Sequence, residues 1–154
     1  MPFRLSIHRD TVSSAPLHEP LVVTPGTPLR EAVALMREHG RGSVIVCRSD
    51  RLEGIVTERD VVRLLAAQAD LGQPVEAVMS APPAVIAGSA TMAAAMTSMR
   101  DGGYRRLPVL DEAGRPTRVL KVTDVIRYLV DYAPETVHTL PPTPQPRTAE
   151  REGP

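Results

Sequence analysis

Aromatic residues are nearly missing from this chain, which has no tryptophan, one phenylalanine and three tyrosines among 154 residues. A protein that stacks on nucleobases needs aromatic platforms, and one that follows a phosphate backbone needs an excess of positive charge. Eighteen lysines and arginines balance eighteen acidic residues, leaving no formal net charge, so nucleic acid is excluded as an expected partner. A single cysteine, Cys47, cannot form an internal disulfide. It closes the apolar run Ser43-Val44-Ile45-Val46-Cys47 and reads as a small buried hydrophobe. No apolar run approaches the roughly 18 residues of a membrane span, and the first twenty residues lack the apolar stretch of a signal peptide. A soluble, cytoplasmic protein without membrane contact is expected. There is no glycine-rich phosphate loop, no GxGxxG fingerprint and no nucleophile elbow. His8, His18, His39 and His138 are scattered, none paired with a cysteine or carboxylate at metal-site spacing. Neither catalysis nor a metal is therefore expected.

What the chain does have is an internal repeat. Leu29, Ala32, Val33 and Met36 map onto Met92, Ala95, Met96 and Met99, a displacement of 63 residues (Leu29 to Met92), and Gly40 maps onto Gly103. One inserted residue later, Asp60, Val61, Arg63 and Leu65 fall on Asp124, Val125, Arg127 and Leu129. A unit this short does not bury its apolar face alone, so the copies are expected to pack together and to place function at their seam.

Within the first copy, Leu21-Val22-Val23 reads as a strand stopped by Thr24-Pro25-Gly26. Thr27 and Pro28 suit a helix N-cap and first turn, and the helix is expected to end at Gly40. Ser43 to Cys47 and Leu52 to Thr57 read as paired strands, followed by a helix from about Glu58 to Ala69. The second copy repeats this order from Ala84 to Tyr132. The expected fold class is α/β (α+β), with two pseudo-symmetric lobes, each strand, helix, strand, strand, helix. Residues 1–16 are read as an N-terminal extension, 17–72 as the first repeat, 73–83 as a connector and 84–133 as the second repeat. The proline-rich stretch 134–154 is expected to be extended or disordered.

The segment Gly54-Ile55-Val56-Thr57-Glu58-Arg59-Asp60, the join Val78 to Ile86 and the strand Tyr104 to Leu110 together resemble the tandem cystathionine-β-synthase (CBS) domain pair, the Bateman module. The resemblance implies a regulatory module that senses an adenosine-type ligand, such as AMP, ADP, ATP, NAD(H) or S-adenosylmethionine, in the clefts between repeats. It implies a first site in which Asp60 accepts from ribose hydroxyls, Thr57 adds a hydroxyl, Arg59 meets a phosphate, and adenine lies near Val22, Val23 and Val44 with Thr24 at the edge. A second site is implied at Arg105, Arg106, Lys121, Thr123 and Asp124, altered by Lys121 where the first copy has Thr57 and by Arg118 where it has Gly54. The family also implies a homodimer through helical faces near Val33 and Met96 or Val61 and Val125, and a downstream protein target.

The residues themselves leave a second reading open. Thr57 followed three positions later by Asp60 is close to a capping box, which needs no ligand. An acidic residue in a first helical turn, as at Asp124, is favoured by the helix dipole alone. Arg105 and Arg106 serve phosphates across the seam or simply begin an exposed strand. A scaffold dimer without nucleotide, or a separate regulatory subunit of an enzyme or transporter, is the alternative.

Overall fold

The structure, a computed structural model, describes residues 6–132; the expectation for the proline-rich stretch lies outside the described residues. The first repeat comprises β1 (Val22–Val23), α1 (Leu29–His39), β2 (Ser43–Arg48), β3 (Arg51–Thr57) and α2 (Glu58–Ala66). The second comprises β4 (Ile86–Ala87), α3 (Met92–Gly102), β5 (Arg106–Leu110), β6 (Pro116–Lys121) and α4 (Val122–Tyr132). This is the mixed α and β order expected from the sequence, with α2 ending three residues early. Each repeat builds a three-stranded sheet, β1-β2-β3 and β4-β5-β6, with the first pair parallel and the second antiparallel.

Strand alternation decides what faces what. Successive side chains of a strand point to opposite faces. Val44, Val46 and Val56 turn toward the first helices and join Val23, Leu29, Ala32 and Met36 in one core. Ile45, Cys47 and Ile55 point the other way and meet Val119 of the second sheet. The seam is thus an apolar contact between the backs of the two sheets. It explains why Ser43 to Cys47 reads as a continuous apolar run, since both faces of that strand are covered. The second lobe has its own core around Met92, Ala95, Met99, Leu107 and Leu120.

Helix α1 starts differently from the expectation. Pro28, not Thr27, is the cap residue, and no side chain caps the end. The Thr27 hydroxyl instead lies 3.1 Å from that of Thr24. The first helical amides, Leu29 and Arg30, donate to the carbonyls of Gln73 and Leu71. The unpaired donors at a helix start are therefore satisfied by the connector. Gly40 and Gly103 close α1 and α3 in the left-handed region, at φ 60° and 68°, where glycine carries no Cβ penalty.

Two short segments outside the strands and long helices also belong to the lobes. Short 3-10 turns occupy Val12–Ser14 and Val75–Ala77. The Val12 and Ser13 amides donate to Ala90 and Gly88, just as Val75 and Glu76 donate to Thr27 and Pro25. Val75 is buried in the first core, whereas Val12 is buried in the second. The N-terminal arm therefore completes the far lobe, and the connector completes the near one.

On the helices expected near a dimer contact, Val61 and Val125 themselves face inward, in the lobe cores. On α2 and α4 the exposed large apolar residues are Val62, Leu65, Ile126 and Val130. Among the described residues no helix is long and apolar enough to cross a membrane.

Candidate functional site

Two clefts flank the seam. The first, about 260 Å³, is lined by Ile55, Thr57, Arg59 and Asp60 from the first repeat, Ser80, Pro82 and Pro83 from the connector, and Ala84 and Gly103 to Arg106 from the second repeat. The second, about 180 Å³, is its pseudo-symmetric counterpart. Lys121 and Val119 face Gly40 to Ser43, Ile45 and Glu58 of the first repeat, and His18 to Leu21 form the outer wall. Each cleft takes its β3-type strand end from one copy and its helix-to-strand turn from the other.

The structure consequently regroups the expected site residues. Thr57, Arg59 and Asp60 come together with Arg105 and Arg106, which the sequence reading assigns to the other site. Val23 and Val44 are buried in the first core and reach neither cleft. Val22 is exposed and borders a separate recess beside Cys47, Asp111 and Arg115. Thr24 is engaged with Thr27, its amide donating to the Thr27 hydroxyl oxygen at 3.2 Å. Thr123 is exposed at the start of α4 and lines neither cleft.

Asp60 is held by its own helix end. The Thr57 amide and hydroxyl both donate to Asp60 Oδ2, at 2.9 and 3.0 Å, and the Asp60 amide donates to Thr57 Oγ1 at 3.4 Å. This is a closed capping box. Oδ1 receives one long bond, 3.3 Å, from Arg63. A carboxylate oxygen accepts two bonds, so Oδ1 retains acceptor capacity while Oδ2 is filled. Capping and ligand binding are therefore compatible through a single oxygen.

Asp124, at the equivalent place, is arranged otherwise. The Lys121 amide donates to its Oδ2 at 2.8 Å, but Oδ1 is buried with no hydrogen-bond partner among the described residues. The residue is 5% exposed, and it faces a small recess with Ser14, Ala15, Pro16 and Tyr128 instead of the second cleft. The neighbouring Tyr128 hydroxyl donates to Asp10. Arg118 does not fill that cleft either: it is exposed and donates to the Thr117 carbonyl.

Arg106 stands between the two clefts and borders both. Its Nη2 lies 3.6 Å from Glu58 Oε2, across the seam, while its Nε is buried without a partner among the described residues. Gly42 makes room for this reach, because a Cβ there would stand 2.0 Å from Nη2. Gly54 similarly admits the connector, since its Cβ would lie 2.3 Å from Met79 Sδ and 3.0 Å from the Ser80 carbonyl. The connector wall, Tyr104, the Gly40 to Ser43 turn and the arm at His18 are lining residues that sequence reasoning missed. The signal was present in the repeat itself, since the 63-residue displacement carries Gly40 to Ser43 onto Gly103 to Arg106.

Among the described residues no cluster of three or more histidine, cysteine, aspartate or glutamate side chains is placed to hold a metal. Cys47 is free and buried. Burial pushes its thiol up, with Asp50 and Glu53 adding to the effect, so it is protonated and unreactive at neutral pH.

An uncharacterized 17.7 kDa protein of Acidianus ambivalens is 33% identical over 120 residues, 77% of this chain and 70% of that protein. The CBS domain-containing protein YhcV of Bacillus subtilis is 34% identical over 93 residues, 58% of this chain and 65% of that one. The alignments thus span about two thirds of these relatives' own length. The crystal structure of CBSX2 in complex with AMP superposes with a TM-score of 0.69 at 25% identity, covering 79% of this chain and 97% of that chain. The family model for the CBS domain matches twice, at residues 12–67 and 75–131, each match starting at the short turn of the arm or the connector, and the chain belongs to the CBS-domain family as a tandem pair.

Proposed function

We propose that this chain is a non-catalytic regulatory module that binds an adenosine-containing ligand in the first cleft. The observation that carries the reading is the convergence of Thr57, Arg59 and Asp60 with Tyr104, Arg105 and Arg106, from opposite repeats, on one opening. A carboxylate with a spare acceptor oxygen suits a ribose hydroxyl, and three arginines suit phosphate. Tyr104, exposed at the rim, offers a ring face to a base. CBSX2, a relative in structure, is seen with AMP. AMP, ADP, ATP, NAD(H) and S-adenosylmethionine share the adenosyl group this arrangement would hold.

A ligand touching both repeats biases their relative angle only through its affinity difference between the two states. A protein target in the cytoplasm reads that change. The exposed Val62, Leu65, Ile126 and Val130 support a homodimer through α2 and α4, and a monomeric mass by light scattering at cellular concentration would remove it.

The closed capping box favours a second reading, a scaffold with no nucleotide, because Thr57 and Asp60 satisfy one another without a ligand. A thermal-shift titration with AMP, ADP, ATP, NADH and S-adenosylmethionine separates the two. Ligand at a hundred times its dissociation constant adds about 2.7 kcal/mol of apparent stability. A shift abolished by Asp60→Ala supports the sensor; silence across the panel supports the scaffold.

A further inference from the structure

We propose that the second cleft is an oxyanion site for a compact phosphorylated ligand, chemically distinct from the adenosine site proposed for the first. His18, Arg41, Arg106 and Lys121, brought from four separate segments, are half-buried around one opening. Arginine and lysine only donate hydrogen bonds. A ligand satisfying them must be rich in acceptors and negatively charged. Two acids share the lining, Glu19 and Glu58, both exposed. Glu58 is matched with Arg106 at 3.6 Å. Among the described residues, His18, Arg41 and Lys121 have no ion-pair partner within 4.0 Å. The buried Arg106 Nε likewise lacks an acceptor.

The features that suit a nucleoside are withdrawn from the same cleft. Lys121 occupies the place of Thr57, replacing a hydroxyl that donates and accepts by an ammonium that only donates. The carboxylate of Asp124 is turned into the recess behind the N-terminal arm and does not line the cleft. A ribose diol entering here meets no counterpart of Asp60. The opening is also the smaller of the two, about 180 Å³ against 260 Å³. Charge, donor excess, the turning away of Asp124 and size all favour a phosphate or diphosphate group over a nucleoside.

This inference stands apart from the ligand of the first cleft, and its test keeps the two separate. Isothermal titration of the full chain with sodium pyrophosphate, and separately with adenosine, is run on the wild type, Lys121→Thr, Arg41→Ala and Asp60→Ala, with thermal melts confirming that each variant is folded. Arg106 is left unchanged because it borders both clefts. Pyrophosphate binding is expected to weaken about tenfold or more in Lys121→Thr and in Arg41→Ala, to weaken with added salt, and to be unaffected by Asp60→Ala. Adenosine is expected to show the opposite dependence if the first-cleft reading holds, and failure of adenosine alone leaves the oxyanion site standing. No pyrophosphate binding, equal binding by the wild type, Lys121→Thr and Arg41→Ala, or two equivalents of adenosine per chain overturns the proposal.

Discussion

The Val119 amide donates to the His18 carbonyl at 3.3 Å, so a residue near the start of the chain closes the edge of the last strand. The connector repeats this at the other lobe, where Ile55 and Ser80 exchange two such bonds, at 3.2 and 3.0 Å. Each lobe thus depends on a segment that precedes the other. Val12 and Val75 are the fully buried anchors of these segments. Val12→Ala and Val75→Ala should each cost about 2 kcal/mol, from lost transfer energy plus a cavity. Hydrogen exchange should rise in α3 and β5 for the first variant and in α1 and β2 for the second. Protection lost only near residue 12 itself would contradict the crossed arrangement.

Gly54→Ala tests the connector wall. The new methyl meets not only the flexible Met79 side chain but also the Ser80 carbonyl, part of the backbone. Overpacking of this kind costs about 1–3 kcal/mol. The connector shifts outward, and any ligand held against Pro82 to Ala84 should weaken along with the lowered denaturation midpoint.

The two roles of Thr57 and Asp60 separate by substitution. Thr57→Ala removes the cap of α2 and should cost about 1 kcal/mol in the absence of ligand. Asp60→Ala should lower stability similarly and, in addition, abolish the adenosine-dependent thermal shift. A Thr57→Ala variant with unchanged melting temperature would contradict the capping geometry.

Cys47 should make stability fall at alkaline pH. Its folded value is raised above the ordinary 9.0 by burial first, so the unfolded chain releases the thiol proton before the folded one. The contribution is fully present below the unfolded value and is lost as pH rises through the folded value. The difference between wild type and Cys47→Ala in urea midpoint should therefore shrink above pH 9. At pH 8, native protein should react with a thiol reagent at least tenfold more slowly than the urea-unfolded chain.

The order of elements, the two lobes and the motif Gly54 to Asp60 are legible along the chain, because helical spacing, glycine stops and a fixed displacement are properties of neighbouring residues. So is the capping box, a contact between residues three apart. Partnership across the seam came from the folded arrangement alone. The sequence reading places both sites at the seam but groups their residues copy by copy, whereas packing sheet against sheet brings Asp60 together with Arg105 and Lys121 together with Arg41. Two residues of identical type and register, Asp60 and Asp124, end in different surroundings because the N-terminal arm covers one of them. Val44 and Ile45 are neighbours in one apolar run, but the strand's two-residue period sends one to a core and the other to the seam. Which face meets which is fixed by the assembled fold, where burial of both sheet backs against each other outweighs any preference local to the strand.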